Sequence, residues 1–113
     1  MNIPRKVRIS GIDYVVDQVT HPVCVDGRQC CGDINYDHNK IRIDISYGSS
    51  TSHICTLLHE VVHGIVHDRD ICFGGGADEE AIVEAFAKGL YQVLTDNPDL
   101  TARRPRKKVV VKK

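Results

Sequence analysis

The sequence lacks the segments that direct a chain into or across a membrane. No apolar run approaches the roughly 20 residues that a membrane-spanning helix needs. The basic N-terminal segment, residues 1–11, is not followed by the apolar stretch of a secretory signal. These absences predict a protein that works in a cytoplasm without membrane contact. The length, 113 residues, is that of one domain with a core of its own.

The cysteines lack the arrangement of a disulfide framework or of a cysteine zinc knuckle. Their number is odd, five, and no two of them form a CxxC pair. We therefore expect reduced thiols that pack as small apolar side chains. The alternative is a thiolate metal ligand among Cys24, Cys30 and Cys31, whereas Cys55 and Cys72 have no such reading.

An excess of charge of one sign is also absent, but the two signs are unevenly distributed. Formal net charge is zero, and residues 103–113 hold seven of the fifteen positive charges. This leaves eight positive and fifteen negative charges in residues 1–102, a body untypical of general nucleic-acid binders. We expect a disordered, solvated tail, with weak contact to phosphates or to an acidic partner as the alternative.

The pattern along the chain predicts four strands followed by two helices. Residues 7–9 and 14–19 form one predicted hairpin, and residues 32–36 and 40–47 form another. In the last strand isoleucines alternate with polar residues, so one face should be buried and the other wet. This order predicts an α+β domain, a small antiparallel sheet packed against two helices.

The two predicted helices are separated by a glycine-rich loop. Apolar residues recur at helical spacing over residues 51–67, after a polar cluster suited to an N-cap. Gly74, Gly75 and Gly76 interrupt the pattern, and a second helix begins with Asp78 as N-cap and stops before Pro98. Its predicted apolar stripe consists of Ile82, Phe86, Gly89, Leu90, Val93 and Leu94.

The first helix carries the pattern H-E-x-x-H at His59, Glu60 and His63. Residues four apart share a helix face, so both imidazoles can reach one tetrahedral Zn²⁺ with Glu60 beside its open position. His67 lies another turn on, about 5.4 Å beyond His63, and is expected at the helix C-terminus instead. The alternative is a set of partly buried histidines bonded to backbone carbonyls.

A catalytic zinc site needs a third protein ligand, and the second helix offers one. Helical geometry permits either Glu79 or Glu80, and the other would complement the helix dipole. Glu84 is predicted either to pair with Lys88 one turn on or to accept the outer N–H of a ligand histidine.

A resemblance to a known group covers almost the whole chain except the basic tail. The stretches IPRKVRISG, GDINYDHNKIRIDIS, TLLHEVVH and GLYQVLTDNPDL resemble small HExxH proteins of bacteriophages and prophages related to the ImmA/IrrE-like zinc metallopeptidases. In that family the third ligand is a Glu that opens a helix, followed later by a large apolar residue and Ala. Counting from Glu80 places Phe86-Ala87 there, whereas counting from Glu79 places Ala85-Phe86, so the resemblance implies Glu80.

The resemblance implies a zincin-like metallopeptidase domain of gluzincin type over residues 1–102, with one Zn²⁺, in the cytoplasm of a bacterial host. The sequence departs from the family at Val83, where a small residue is usual, and at Glu84, where Asn or Asp often stands. The role of Glu84 therefore stays open.

These residues suit hydrolysis of a peptide bond by a water molecule that zinc activates and Glu60 deprotonates. We expect a peptide or protein substrate to lie along residues 40–47 as an exposed edge strand, with Tyr47 and Tyr91 as candidate oxyanion donors. The alternative is a catalytically silent zinc-binding protein that uses the site structurally and binds a regulatory partner. The predicted metal ligands are His59, His63 and Glu80.

Overall fold

A computed structural model describes residues 1–102 and confirms the α+β class, with six strands preceding two helices. Residues 103–113, predicted to form a basic tail, lie outside the described residues. Neither helix in the described part of the chain is long and apolar enough to cross a membrane. The elements are β1 (Lys6–Ile9), β2 (Ile12–Val19), β3 (Val23–Val25), β4 (Arg28–Cys30), β5 (Gly32–Asn35), β6 (Lys40–Asp44), α1 (Ser50–Asp68) and α2 (Glu79–Asp96), followed by a short 3-10 turn at Pro98–Leu100.

The main sheet contains the two predicted antiparallel hairpins, joined by one parallel pair that was not predicted. Its strand order is β1-β2-β6-β5, in which both predicted hairpins are antiparallel but β2 and β6 pair in parallel. The strand β6 therefore lies inside the sheet, and the predicted edge strand at residues 40–47 was wrong. An interior position suits β6 because Ile41 and Ile43 are fully buried. The edge on this side of the sheet is β5.

A second, two-stranded sheet between the hairpins was not predicted. The strands β3 and β4 pair antiparallel across a turn at Asp26-Gly27, where both residues have positive φ angles of 49° and 75°. Two successive positive φ angles are those of a type I′ hairpin turn, for which Asp-Gly is a strong sequence signal. Three-residue strands are too short to show an alternating pattern. The Asp-Gly dipeptide was therefore the sequence signal from which this hairpin could have been predicted.

The core lies between the main sheet and α1. A glycine allows the close approach of the two layers: a Cβ at Gly64 would lie 2.6 Å from Ile9 Cδ1 and 3.1 Å from Ile34 Cδ1. At the start of α1, Ser49 and Ser52 form a reciprocal capping box. The buried cluster consists of Ile9, Tyr14, Val16, Ile41, Ile43 and Leu57.

One polar residue of β6 is buried, against the predicted wet face. Asp44 is only 3% exposed and accepts hydrogen bonds from Ser46 Oγ at 2.6 Å and from the Ser46 backbone N–H at 2.8 Å. These two bonds lower the pKa of Asp44, because they favour the carboxylate form. Both hydrogen bonds go to Oδ1, whereas the buried Oδ2 has no hydrogen-bond partner within the described residues.

The helix α2 packs against α1 through a narrow face. Asp78 is its N-cap, as predicted, and accepts from the Ala81 N–H at 3.3 Å. Val83 and Ala87 are its buried residues, whereas Phe86 is 59% exposed. The prediction that the Phe86 stripe packs inward was wrong, because α2 meets only α1 on one side and turns that stripe away from it.

Candidate metal centre

Three side chains from the two helices converge on one point. The Nε2 atoms of His59 and His63, one turn apart on α1, lie 3.1 Å from each other. From the first turn of α2, Glu80 places Oε2 3.1 Å from His59 Nε2 and Oε1 2.6 Å from His63 Nε2. The ligand atoms of all three residues lie within 4.8 Å of one another, which identifies a group able to hold a metal ion.

The donor set and its spacing fit a tetrahedral zinc ion. Donors about 2.1 Å from such an ion stand roughly 3.4 Å from one another. The two Nε2 atoms lie 3.1 Å apart, and each approaches a different Glu80 oxygen. Two imidazoles and one carboxylate leave one of four positions free, as in catalytic rather than structural zinc sites. Glu80 is largely exposed, so the group of three side chains is accessible to solvent on the α2 side.

The outer nitrogens of both histidines face carboxylates as well. His59 Nδ1 lies 3.4 Å from Glu84 Oε2, and His63 Nδ1 lies 3.3 Å from Glu79 Oε2. Carboxylates at these positions favour protons on Nδ1, which leaves both Nε2 lone pairs directed at the shared point. A proton or a metal cation between the two Nε2 atoms, 3.1 Å apart, would offset the repulsion of their lone pairs.

Glu79 and Glu84, the other two carboxylates of α2 near the site, contact the outer nitrogens of the histidines and not the point shared by the Nε2 atoms. Glu79 lies behind His63, so the geometry selects Glu80 from the two candidates that helical spacing left open. Glu84 faces His59 and forms no ion pair with Lys88 among the described residues. Of the two contacts predicted for Glu84, the structure shows the one with a candidate ligand histidine. The alternative ion pair with Lys88 is absent from the described residues.

Glu60 lies beside this centre and is buried. Its side chain is only 7% exposed and lines the same cleft as the two histidines. Burial, with added repulsion from Glu80, Asp33 and Glu84, raises the pKa of Glu60 to about 8. At this pKa the carboxyl is mostly protonated near neutral pH, and a neighbouring divalent cation would lower the pKa and favour the carboxylate that a general base requires.

The centre opens into a cleft of about 1090 Å³. One wall is the continuous stretch from β4 into the edge strand β5, the floor is α1, and α2 forms the opposite wall. Gly32 permits this close packing, because a Cβ there would lie 2.7 Å from the Arg42 carbonyl oxygen and 2.8 Å from Thr56 Cγ2. A bidentate ion pair from Arg42 to Asp33, at 2.6 and 2.9 Å, braces β5 against β6.

Comparison of the chain with protein-family models, with curated proteins and with solved structures finds no match. The site is therefore interpreted from its own geometry and chemistry.

His67 lies outside the metal group, as helical geometry predicted. Its ring stacks on Tyr36, with ring centroids 3.7 Å apart and planes 9° from parallel. The Tyr36 hydroxyl donates to the His63 carbonyl oxygen at 3.2 Å, and burial raises the pKa of Tyr36 to about 12. Tyr36 thus supports the end of α1 that carries His63, a contact that the sequence did not indicate.

The two tyrosines proposed as oxyanion donors lie elsewhere. Tyr47 OH lies 3.0 Å from Cys31 Sγ, and Tyr91 OH donates to Thr51 Oγ1 at 3.3 Å; neither tyrosine lines the cleft. The cleft instead contains Tyr36. All five cysteines are free thiols, and none belongs to the metal-binding group found among the described residues, although Cys30, Cys31 and Cys55 line the cleft.

Proposed function

We propose that this protein is a zinc-dependent metallopeptidase of the gluzincin type, as its resemblance to the ImmA/IrrE-like phage proteins implies. The observation that carries the proposal is the convergence of His59, His63 and Glu80 at the floor of an open cleft, with the buried Glu60 beside them. A zinc ion held by these ligands would activate a water molecule and polarise the scissile carbonyl.

Proton transfer and the orientation of the imidazoles are assigned to glutamates of the chain. Glu60 takes the proton of the attacking water and delivers it to the leaving amine, and its low-exposure position keeps competing solvent from that carboxylate. Glu79 and Glu84 orient the imidazoles through their Nδ1 atoms. Because α1 belongs to the core, His59, Glu60 and His63 are held in place before substrate arrives.

We place the substrate along the edge strand β5, because the predicted edge, residues 40–47, includes the interior strand β6. The Asp44 N–H donates to the Cys31 carbonyl at 2.8 Å, so Cys31 turns its backbone toward β6. The direction of hydrogen bonding alternates along an antiparallel pair, and Gly32 and Ile34 therefore turn their N–H and C=O groups to the free edge. An extended peptide paired there lies over Glu60 without any demand on its sequence.

The decisive experiment measures zinc content and cleavage in wild type and in Glu60→Gln. Wild type should carry about one zinc per chain and cut unfolded proteins in a broad digest read by mass spectrometry. Glu60→Gln should retain the zinc and lose cleavage by about 10²–10⁴-fold, because the general base is gone while the ligands remain. A digest without any zinc-dependent product refutes the peptidase proposal.

A second candidate function has one observation in its favour. The stripe of Phe86, Leu90 and Val93 on α2 is exposed and apolar, as surfaces that bind protein partners are. A regulatory protein that uses zinc to hold α2 in place would display this stripe and cleave nothing. Chelation would release the partner of such a protein, whereas in a peptidase it would abolish the cleavage of substrate.

A further inference from the structure

The cationic side chains of the domain are distributed unevenly between paired and unpaired positions. Eight lysines and arginines lie in residues 1–102. Lys6, Arg8, Lys40, Arg42 and Arg69 each lie within 4.0 Å of a carboxylate. Within the described residues the three without such a partner are Arg5, Arg28 and Lys88, and two of these, Arg28 and Lys88, line the cleft.

These two cations occupy opposite walls at the same end of the cleft. Lys88 follows Glu80 by two helical turns, about 12 Å along α2. Between Arg28 and Gly32 the chain bends at Cys31, whose Sγ lies 3.0 Å from Tyr47 OH, and the Tyr47 carbonyl oxygen lies 2.7 Å from His53 Nε2 near the start of α1. The helix α2 runs antiparallel to α1, since Glu79 contacts His63 and Tyr91 contacts Thr51. Both walls therefore lead toward the N-terminal end of α1.

This end differs in charge from the end that holds the metal group. Its floor is the first turns of α1, which contain no acidic residue and contribute hydroxyl groups from Ser49, Thr51 and Ser52. Asp26 in the β3–β4 turn also lines the cleft, but it forms no ion pair with Arg28 in the described part of the chain. Glu84, which helical spacing offers to Lys88, faces His59 instead.

We propose that Arg28 and Lys88 form a subsite for a carboxylate of the bound peptide, which rests on the peptidase function proposed above. An extended peptide advances about 3.3 Å per residue, so this carboxylate lies about four residues from the scissile bond. Two unpaired cations on facing walls bind a carboxylate between them and repel a lysine or arginine at the same place. The carboxylate belongs either to an Asp or Glu side chain or to the C-terminus of a short substrate.

The test measures peptide binding on the full chain carrying Glu60→Gln and loaded with zinc, so that cleavage does not interfere. Three fluorescein-labelled peptides of alanine and serine are compared by anisotropy. One has an internal glutamate and an amidated C-terminus, one has glutamine and an amide, and one has glutamine and a free carboxylate. We expect the glutamate or the free-carboxylate peptide to bind severalfold more tightly than the uncharged one, with a difference that shrinks as salt is added.

Matched variants assign the effect to the subsite. Arg28→Gln and Lys88→Gln should each weaken binding of the carboxylate peptide by about two- to fivefold and leave the uncharged peptide unchanged. Arg5→Gln removes the third unpaired cation, which lies outside the cleft, and should change neither affinity. Residues 103–113 are the same in every variant, so their charges cancel in the comparison.

The two proposals fail separately. Equal affinities for all three peptides, or a loss in Arg5→Gln as large as in Arg28→Gln, overturn the subsite whether or not the wild type cleaves. Selective binding that depends on Arg28 and Lys88, in a wild type that cleaves none of these peptides or proteins, supports the carboxylate subsite and overturns the peptidase function.

Discussion

The helices α1 and α2 both supply metal-binding residues, but they are attached to the domain very differently. Five residues of α1 are buried, and its Leu57 belongs to the core beneath the sheet. Two residues of α2 are buried, and its contacts are made mainly with α1. The histidines and Glu60 therefore stand on the most firmly packed helix, whereas Glu80 stands on an element that little apolar burial holds in place.

Because of this difference, a metal ion held by both helices would contribute to the docking of α2. A helix with two buried residues gains little from the hydrophobic effect, and a ligand that binds both helices adds the missing stabilisation. His59 and His63 each lie within 3.4 Å of two carboxylates of α2. The candidate site thus connects α1, which is packed in the core, with α2, which buries few residues.

The largest expected effect contrasts the packing of the two helices. Leu57→Ala on α1 should lower the free energy of unfolding by about 2–5 kcal/mol, because it leaves a cavity in the core. Phe86→Ala on α2 should change it by less than about 0.5 kcal/mol, because Phe86 is exposed. Urea denaturation measures both, and comparable losses would show that the α2 stripe is packed.

Next in size is the effect of the α2 carboxylates on metal affinity. Glu79→Ala should weaken zinc binding by about 10–100-fold, because it removes a carboxylate that orients His63. Glu80→Ala removes a ligand and should cost more than about 100-fold. Competition with a chromogenic chelator measures both affinities, and a greater loss in Glu79→Ala would reverse our ligand assignment.

Metal removal should affect α2 more than the sheet and α1. We expect chelation to speed amide hydrogen exchange in α2 and to leave β6 and the buried face of α1 protected, because the core contains no metal ligand. Zinc at a hundredfold its Kd should then add roughly 3 kcal/mol to the stability of the docked state. Exchange followed by mass spectrometry reports this, and unfolding of all elements together would favour the structural zinc protein.

The smallest expected effect concerns the stability of the sheet at low pH, to which Asp44 contributes. The hydrogen bonds from Ser46 lower the pKa of Asp44, so the ionised Asp44 stabilises the fold above its ordinary pKa of about 4. That contribution is lost as the pH falls through the lowered value. Ser46→Ala should therefore move the midpoint of acid unfolding, followed by circular dichroism, to higher pH. Asp44→Asn should abolish the difference between the Ser46 variant and its parent.

Several features were predictable because they depend on local sequence. The spacing of His59 and His63 follows from the helical repeat, and the start of α2 follows from the capping chemistry of Asp78. The exclusion of His67 is equally local, since another turn carries it away from the shared point. Each of these conclusions needs only residues within a few positions of one another.

The order of strands could not be read in the same way. Alternation identified β6 as a half-buried strand, but which strands flank it depends on pairing between distant segments. The β3–β4 hairpin redirects the chain, so that β6 enters the interior and β5 becomes the edge. A wrong edge strand placed the substrate on residues that are already paired on both sides.

By itself, the sequence predicted the candidate metal group: a histidine pair with a glutamate between them on one helix, and a choice of glutamates on the next helix. Tertiary structure decided which glutamate meets the histidines, which apolar face of α2 stays exposed, and that Arg28 and Lys88 share one end of a cleft. These outcomes depend on how α2 is rotated and placed against α1. That rotation is set by side-chain packing between segments far apart in the chain, which no local period encodes.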